Sequence, residues 1–169
     1  NASMFCPISD GTMGLLRQHF PAESARLPMR VVRHGTAYCQ LVPRHEAMHR
    51  RAASVPTVLS VGAIKPRKGY HVSLAAFALL KRRVPSARYW IVGRVDQPEY
   101  FKTLQRFIEQ EHLEDVHFLG ELSPEALRKC YQDASLFALA PQQVGFSFEG
   151  FGLVFLEAGA YGLPVVATR

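Results

Sequence analysis

Two glutamates in the last quarter of the chain combine residue type and position in a way that suggests chemistry. Glu149 stands just before a predicted helix start, and Glu157 is the one charged residue in the apolar stretch GLVFLEAGAY. Burying a carboxylate without partners costs several kcal/mol, so a bound partner would compensate for that cost. Because a carboxylate has two oxygens with about four lone-pair sites, Glu157 suits a vicinal diol such as that of a ribose. Glu149 would direct its own carboxylate oxygens into the same ligand-binding crevice as Glu157.

Glycines and a basic loop would add an anion site to this pair. Gly150 and Gly152 let a ligand approach the backbone and leave N–H groups available to an oxyanion or a hydroxyl. The loop AIKPRKG carries three cations just before another predicted helix: Lys65, Arg67 and Lys68. Positive side chains beside helix-terminal N–H groups form an anion site. Neither GxxxxGK[ST] nor GxGxxG occurs, which removes the main support for an ATPase or a simple dinucleotide dehydrogenase.

The same residues also fit a structural interpretation. Glu149 can be a carboxylate stabilised by the positive end of a helix, and Glu157 can point to solvent from a helix edge. Basic loops are common and most of them are simply solvated. Residue types alone therefore leave both interpretations of the glutamate pair open.

Short apolar runs alternate with amphipathic stretches from Thr57 onward, which is the pattern of βαβ units. The predicted strands are short and apolar on both faces, as in the buried centre of a parallel sheet: Thr57–Gly62, Arg88–Val92, Val116–Leu119, Ser135–Leu139 and Pro164–Ala167. The predicted helices are Tyr70–Arg83, Pro98–Leu113, one that begins after the N-cap Ser123, and a buried one at Gly152–Tyr161. We therefore predict an α/β protein with a doubly wound parallel sheet.

The strand order then predicts where a ligand would bind. The common order 3-2-1-4-5 with right-handed crossovers places the first predicted strand beside the fourth. Ligands of open α/β sheets bind outside the carboxyl ends of the strands at this switch point. The two loops there are Ala63–Gly69 and Ala140–Phe151, which contain the cations and Glu149.

Composition excludes several classes of protein. Hydrophobic residues make up 48% of the chain and charged residues 20%, unlike a disordered protein. No apolar run approaches the roughly 18 residues that span a bilayer, and no secretory signal is recognisable. The cysteines Cys6, Cys39 and Cys130 form no CxxC pair, which supports neither a disulfide framework nor a zinc site. A reducing compartment, the cytoplasm, fits best.

The net charge of +6 is concentrated near the N-terminus. Six arginines and three histidines lie between Arg26 and Arg51, against the single Glu46. Such a segment can contact phosphates, nucleic acid or an anionic membrane surface. No aromatic interleaving or nucleic-acid motif accompanies it, so a solvated segment is the simpler interpretation and no nucleic-acid partner is expected.

The stretch FEGFGLVFLEAGAYGLPVVAT resembles the signature of the retaining GT-B glycosyltransferases, the large family that includes sucrose synthases, glycogen synthases and bacterial mannosyl- and glucosyltransferases. That signature has two glutamates separated by seven residues, and Glu149 and Glu157 have this spacing. TVLSVGAIKPRKGY is similar to the first strand and phosphate loop of the family. WIVG, VHFLG and SLFALAP occur in their expected places, and the resemblance covers about residues 57–168.

The resemblance implies a role for each matching residue. Glu149 would be the catalytic residue, in contact with the donor hexose near its reacting carbon. Glu157 would hold the ribose diol, Lys68 the diphosphate, and Leu122 would lie near the base. The other implied donor-binding residues are Gly62, Arg67, Gly150, Phe151, Gly152, Leu153 and Val154. No metal ligand is implied.

The chain also departs from the family pattern. Ala63 stands where members often carry an arginine that contacts the diphosphate, so either Arg67 substitutes or binding depends on Lys68. His34-Gly35 replaces the usual Asn-Gly. We expect residues 1–56 to be a remnant of the preceding domain, with one helix at Asp10–Phe20, one strand at Met29–Arg33 and a basic linker at 43–56. Residues 57–169 would be the Rossmann-like, nucleotide-sugar-binding half of a GT-B fold, truncated at its C-terminus.

The resemblance implies an activity for the intact protein. It would transfer a sugar from a UDP- or GDP-sugar to a glycan, lipid or small-molecule acceptor, with retention and without a cofactor, in the cytoplasm or at the membrane periphery. The fragment would bind the donor but be inactive without the missing N-terminal domain. Two alternatives stay open: a hydrolytic acid/base pair of glutamates, which leaves the basic loop without a role, and a non-catalytic nucleotide-sugar- or nucleic-acid-binding module.

Overall fold

The computed structural model describes residues 4–33, 55–145, 147 and 149–168 of the chain. It divides into two compact units. The smaller unit consists of residues 1–37 together with Gly150–Leu153, and the larger unit of residues 38–149 and 154–169. The predicted His34-Gly35 turn, Cys39 and nearly all of the basic linker at 43–56 lie outside the described residues.

The described part of the smaller unit contains two short helices. Helix α1 spans Asp10–His19, and the hydroxyl of its N-cap Ser9 accepts a hydrogen bond from the Thr12 N–H at 3.1 Å. Helix α2, which was not predicted, spans Pro21–Arg26. The predicted helix at Asp10–Phe20 is confirmed by α1.

The predicted strand at Met29–Arg33 was wrong. Only an isolated parallel bridge between Phe5 and Met29 forms there, supported by the Arg30 N–H, which donates to the Phe5 carbonyl at 3.1 Å. Pro7 follows closely on the opposite segment. Proline has no N–H to donate, so the ladder loses one bond at Pro7, although the Pro7 carbonyl still accepts a hydrogen bond from the Val32 N–H at 2.9 Å.

The larger unit is built on one parallel sheet in the order β3-β2-β1-β4-β5. Its strands are β1 (Thr57–Val61), β2 (Arg88–Val92), β3 (Val116–Gly120), β4 (Leu136–Leu139) and β5 (Val165–Ala167). All four pairings are parallel. The predicted α/β class and strand order are confirmed, and β1 lies beside β4 at the predicted switch point.

Helices connect these strands. They are α3 (Tyr70–Arg83), α4 (Pro98–Gln110), α5 (Pro124–Asp133) and α6 (Leu153–Ala160), and a short 3-10 turn at Pro66–Lys68 precedes α3. Helix α5 begins as its sequence predicts, because the hydroxyl of Ser123 accepts a hydrogen bond from the Ala126 N–H at 3.2 Å and Pro124 occupies the first turn.

The core lies where the central strands meet the helices. Every residue of β1 is buried, and Leu59, Tyr89, Ile91 and Phe137 are fully enclosed. A parallel strand covered on both faces needs apolar side chains in both directions, which explains the continuous apolar runs. The carboxyl ends of these buried strands, where a ligand was predicted to bind, are therefore held in place by the core.

Two predictions of burial were wrong. Helix α6 exposes Leu153 and Leu156 and buries only Ala158. Strand β5 was predicted as a buried strand, yet all three of its residues are exposed. Within the described residues it is an edge strand that pairs only with β4. An apolar run in the sequence does not distinguish an edge strand from a central strand.

Within the described residues, none of the helices has the length and apolar character needed to cross a membrane. Cys6 and Cys130 are free thiols in this part of the chain, the first exposed and the second buried.

Candidate functional site

The loops after β1 and β4 meet at the carboxyl edge of the sheet. Gly69 ends the 3-10 turn with φ +67°, and a Cβ there would lie 1.6 Å from the carbonyl oxygen of Ala140. Only glycine permits this contact, since the clash would be with backbone. The Gln142 N–H donates to the Arg67 carbonyl at 2.8 Å and joins the loops a second time.

Two cations and one carboxylate converge where these loops meet. Lys68 Nζ donates to Glu149 Oε2 at 2.6 Å, and Arg67 Nη1 donates to the same oxygen at 2.9 Å. The three side chains are 11%, 17% and 20% exposed for Lys68, Arg67 and Glu149. We call these three residues the cation–carboxylate cluster. It carries a formal net charge of +1.

The charge of Glu149 depends on its two partners. Burial by itself would raise the pKa of this carboxyl, but the hydrogen bond and charge of Lys68, together with Arg67, outweigh burial and lower the pKa below its usual value of 4.5. Glu149 is therefore an anion at neutral pH. This is the opposite of the raised pKa that a general acid needs.

Gly62 lies against the stem of Lys68. A Cβ on Gly62, whose φ is +148°, would lie 3.2 Å from Lys68 Cε. The hydroxyl of buried Tyr70 donates to the Gly62 carbonyl at 2.5 Å, and burial raises the pKa of that hydroxyl well above its usual value. The lysine stem thus runs over a glycine that the core holds in place.

A cleft of about 420 Å³ opens at the carboxyl ends of β1, β2 and β3. It is lined by Gly62, Ala63, Gly93, Arg94, Glu121 and Leu122, among others. A Cβ on Gly93 would lie 2.1 Å from the Gly62 carbonyl oxygen, so the ends of β1 and β2 are in close contact. Gly62 and Leu122, predicted separately, therefore share one cleft.

An acidic residue ties together the loops after β1 and β2. Asp96 accepts a hydrogen bond from Lys65 at 3.0 Å and from Arg94 at 2.7 Å, and these bonds lower its pKa. Lys65, the third cation of the predicted anion loop, thus pairs with Asp96 and not with Glu149. Gly93, Arg94 and Glu121 were not singled out from the sequence. Their position directly after predicted strands in WIVGR and VHFLGEL was the available signal.

Glu157 has a partner on α5. Its Oε2 accepts a hydrogen bond at 2.8 Å from the hydroxyl of Tyr131, which is 2% exposed. The carboxylate itself is half-buried. It is therefore anchored to the core on one side, and the interpretation in which it only points to solvent does not describe it.

The remaining predicted residues lie around the start of α6. A Cβ on Gly150 would lie 3.1 Å from Ile8 Cδ1, within the smaller unit. Gly152 is buried with φ +73°, and Phe151 is half-buried. Helix α6 begins at Leu153, and Val154 packs against the core of the larger unit.

A second cavity of the larger unit is apolar. This groove of about 320 Å³ between α3 and strands β4 and β5 is lined by residues such as Val72, Phe77 and Val166, and no ionisable side chain lines it. In residues 4–33, 55–145, 147 and 149–168, no group of three or more His, Cys, Asp or Glu side chains could hold a metal ion. Of these two cavities, the cleft at the strand ends is the one lined by charged side chains, those of Arg94 and Glu121.

Known proteins are similar to this chain in sequence and in fold. The family model for glycosyl transferases group 1 matches residues 43–169. A GDP-mannose-dependent alpha-(1-6)-phosphatidylinositol monomannoside mannosyltransferase from Mycolicibacterium smegmatis is 37% identical over 117 residues, which is 68% of this chain and 30% of that protein.

Two solved structures superpose on almost the whole chain. Sucrose-phosphate synthase from Thermosynechococcus elongatus matches with a TM-score of 0.75 and 27% identity over 99% of this chain and 41% of its own. Alr3699/HepE from Anabaena, in complex with UDP-glucose, matches with a TM-score of 0.76 and 25% identity over 98% and 44%. The chain spans less than half the length of these proteins.

Proposed function

Because this chain belongs to the glycosyl transferases group 1 and has the fold of the C-terminal half of a GT-B protein, we propose that the whole protein transfers a hexose from a nucleoside diphosphate sugar to an acceptor, with retention of the anomeric configuration. Residues 57–169 would be the donor-binding domain, and residues 1–56 part of the preceding domain and a linker. The observation that carries this proposal is the cation–carboxylate cluster at the switch point between β1 and β4.

The cluster fits the charge changes of glycosyl transfer. As the bond to the sugar breaks, negative charge grows on the leaving diphosphate and positive charge on the sugar. Lys68 and Arg67 would stabilise the diphosphate, and Arg67 would take over the role of second contact expected from the arginine absent at Ala63. Glu149 would lie on the sugar side and stabilise the positive charge. The cluster would thus supply charges of both signs, two cations for the diphosphate and one carboxylate for the sugar.

The diphosphate and Glu149 would use the same cations in turn. Glu149 accepts hydrogen bonds from both Lys68 and Arg67. An entering diphosphate carries more negative charge than one carboxylate and would replace it. Glu149 would then be released towards the hexose, near its reacting carbon, as the catalytic residue.

The other residues would complete the donor site. The cleft beside Leu122 would take the base, since it adjoins Gly62 and therefore the lysine stem. Glu157 would accept the hydroxyls of the ribose. The backbone groups at the start of α6 would contact the sugar and the phosphates: Gly150, Phe151, Gly152, Leu153 and Val154.

Donor base, acceptor and location are part of the same proposal. The mannosyltransferase relative is GDP-mannose-dependent by name, and Alr3699/HepE holds UDP-glucose, so both UDP- and GDP-sugars are candidate donors. The acceptor would be a glycan, a lipid or a small molecule, bound with help from the N-terminal domain. We place the protein in the cytoplasm, with its basic segment at 26–51 available for contact with an anionic membrane.

Calorimetric titration with UDP, GDP and ADP tests the donor site. We expect one of the three to bind, and Lys68→Met to weaken that binding at least about tenfold, because a charge-assisted bond to phosphate is lost. Lys65→Met is the matched control, since it removes the same charge from the same loop but from a residue paired with Asp96. Equal effects of the two substitutions, or no binding of any diphosphate, would contradict the proposal.

The hydrolytic alternative is less well supported. A glycosidase needs one carboxyl that stays protonated to donate to the leaving group. The pKa of Glu149 is lowered by Lys68 and Arg67, so Glu149 does not suit that role at neutral pH, and hydrolysis would leave both cations without a role. The nucleic-acid alternative depends on the basic segment, most of which lies outside the described residues. Steep salt dependence with short oligonucleotides, together with indifference to UDP and GDP, would support it.

A further inference from the structure

The glutamate that would hold the ribose is tied to a residue that no donor contact requires. Glu157 lies on α6 and Tyr131 on α5, and the tyrosine hydroxyl donates to Glu157 Oε2 at 2.8 Å. Tyr131 is 2% exposed, whereas Glu157 is half-buried and can reach a ligand. The bond thus joins a core side chain to a binding side chain.

The tyrosine is held in one orientation by its aromatic neighbours. Its ring stacks on that of Tyr161 with centroids 5.2 Å apart and an angle of 2° between the ring planes. It also packs against Phe137, which is fully buried, at 6.2 Å and 25°. Stacked, buried rings keep one rotamer, so the position of the hydroxyl is fixed by packing.

A fixed donor on one carboxylate oxygen limits how the other can move. An unrestrained glutamate must lose rotamer freedom when it binds a ligand. Because Oε2 of Glu157 is bonded to Tyr131, the side chain has already lost this rotamer freedom on folding. Oε1 is then held in one orientation before a ligand binds. Preorganisation of this kind strengthens binding without any new contact.

We propose that Tyr131 is a positioning residue for ribose recognition: it orients the carboxylate of Glu157 so that this carboxylate accepts the ribose hydroxyls, and it does so without touching the nucleotide. This inference rests on the proposed donor site. A buried tyrosine hydroxyl also needs an acceptor for its own stability, so the test must separate orientation from packing.

The readout is the preference for a ribonucleotide over its 2′-deoxy counterpart. The protein is titrated with UDP and 2′-deoxy-UDP, and with GDP and 2′-deoxy-GDP, and the pair that binds is used. We define the ribo preference as the ratio of the affinity for the ribonucleotide to that for the 2′-deoxynucleotide. In the unmodified protein we expect a ribo preference of about tenfold, the effect of one hydrogen bond to a charged group. In Tyr131→Phe we expect the ribo preference to fall to about two- to threefold, while the affinity for the deoxynucleotide stays within about twofold of that of the unmodified protein.

Two further variants make the result specific. Tyr161→Phe removes the same atom from the stacked neighbouring ring and should keep the full ribo preference. Glu157→Gln should lose most of the preference, and adding Tyr131→Phe to it should change nothing more, because the tyrosine acts through the carboxylate. A ratio of two affinities from one sample does not depend on the fraction of protein that is folded.

Each contrary outcome has a distinct meaning. An equal loss of affinity for both nucleotides in Tyr131→Phe, or an unchanged ribo preference, would overturn the positioning role and leave the donor site in place. Diphosphate binding that depends on Lys68 but shows no ribo preference in the unmodified protein would overturn the inference and the role of Glu157. Absence of any nucleoside diphosphate binding would overturn the proposed function itself.

Discussion

Replacing Glu149 by glutamine should tighten the binding of a nucleoside diphosphate to this chain and, in the whole protein, abolish the proposed sugar transfer. The carboxylate occupies Lys68 and Arg67 at 2.6 and 2.9 Å. If the diphosphate uses the same two cations, it must first displace this anion. Glu149→Gln keeps the size of the side chain and removes its charge, so the cations become easier to reach.

The size of the effect follows from the contacts. A hydrogen bond to a charged group contributes about 1.5–3 kcal/mol, and the side chains of the cation–carboxylate cluster are shielded enough for that range to apply. The glutamine oxygen still accepts hydrogen bonds from the two cations but without the attraction between opposite charges, which retains roughly half of that energy. The remaining energy, roughly 0.75–1.5 kcal/mol, corresponds to about four- to tenfold tighter binding of UDP or GDP. Stability to urea should fall by about 1–3 kcal/mol, because two shielded cations lose their counter-charge.

Calorimetry and equilibrium unfolding measure the two effects on the same samples. Glu109→Gln, on the exposed side of α4, makes the same change of net charge away from the cluster and should alter neither quantity. In Glu149→Gln we expect the free energy of unfolding to fall while the affinity for the diphosphate rises. Diphosphate binding that is unchanged or weaker in Glu149→Gln would refute the competition between carboxylate and diphosphate.

Three other predictions concern stability. Gly69→Ala should destabilise the fold by about 3 kcal/mol or more in urea unfolding, because its Cβ would lie 1.6 Å from a backbone atom. The control Gly120→Ala has nearly the same φ of +68° but no atom within 4 Å of its Cβ, and should cost only about 1 kcal/mol. Equal costs would show that the loop contact is not required. The ion pairs of Glu149 should stabilise the fold fully above about pH 4.5, the usual pKa of this carboxyl, and be lost as the pH falls through its lowered folded-state pKa. Glu149→Gln should therefore flatten the loss of unfolding free energy below about pH 4.5, and parallel curves would contradict this. Phe137→Ala should cost about 3–5 kcal/mol, since this ring is fully buried against the sheet; a cost below about 1 kcal/mol would show that it is not part of the core.

Most of the larger unit could be predicted from the sequence because its central strands carry an unambiguous signal. Continuous apolar runs such as TVLSV, bounded by turn residues, are typical of buried parallel strands when they alternate with helical patterns. The right-handed crossover rule then fixes the neighbours of β1. The convergence of Lys68 and Glu149 follows from that order, since both lie in loops at one edge of the sheet.

Edges and partners could not be predicted in the same way. The apolar runs of β5 and α6 do not say whether anything covers them; in the described chain all residues of β5 are exposed and most residues of α6 are exposed or only partly buried. The bridge at Met29 depends on a short partner segment interrupted by Pro7, which local periodicity cannot show. The bond between Tyr131 and Glu157 joins residues 26 positions apart, and no spacing rule relates them.

A crystal structure of the protein with the bound nucleoside diphosphate that titration selects would test the donor site itself. We expect phosphate oxygens within hydrogen-bond distance of Lys68 Nζ, ribose hydroxyls at Glu157, the base in the cleft beside Leu122, and Glu149 moved away from the lysine. A nucleotide bound elsewhere, with the 2.6 Å bond between Lys68 and Glu149 intact, would contradict the proposed donor site.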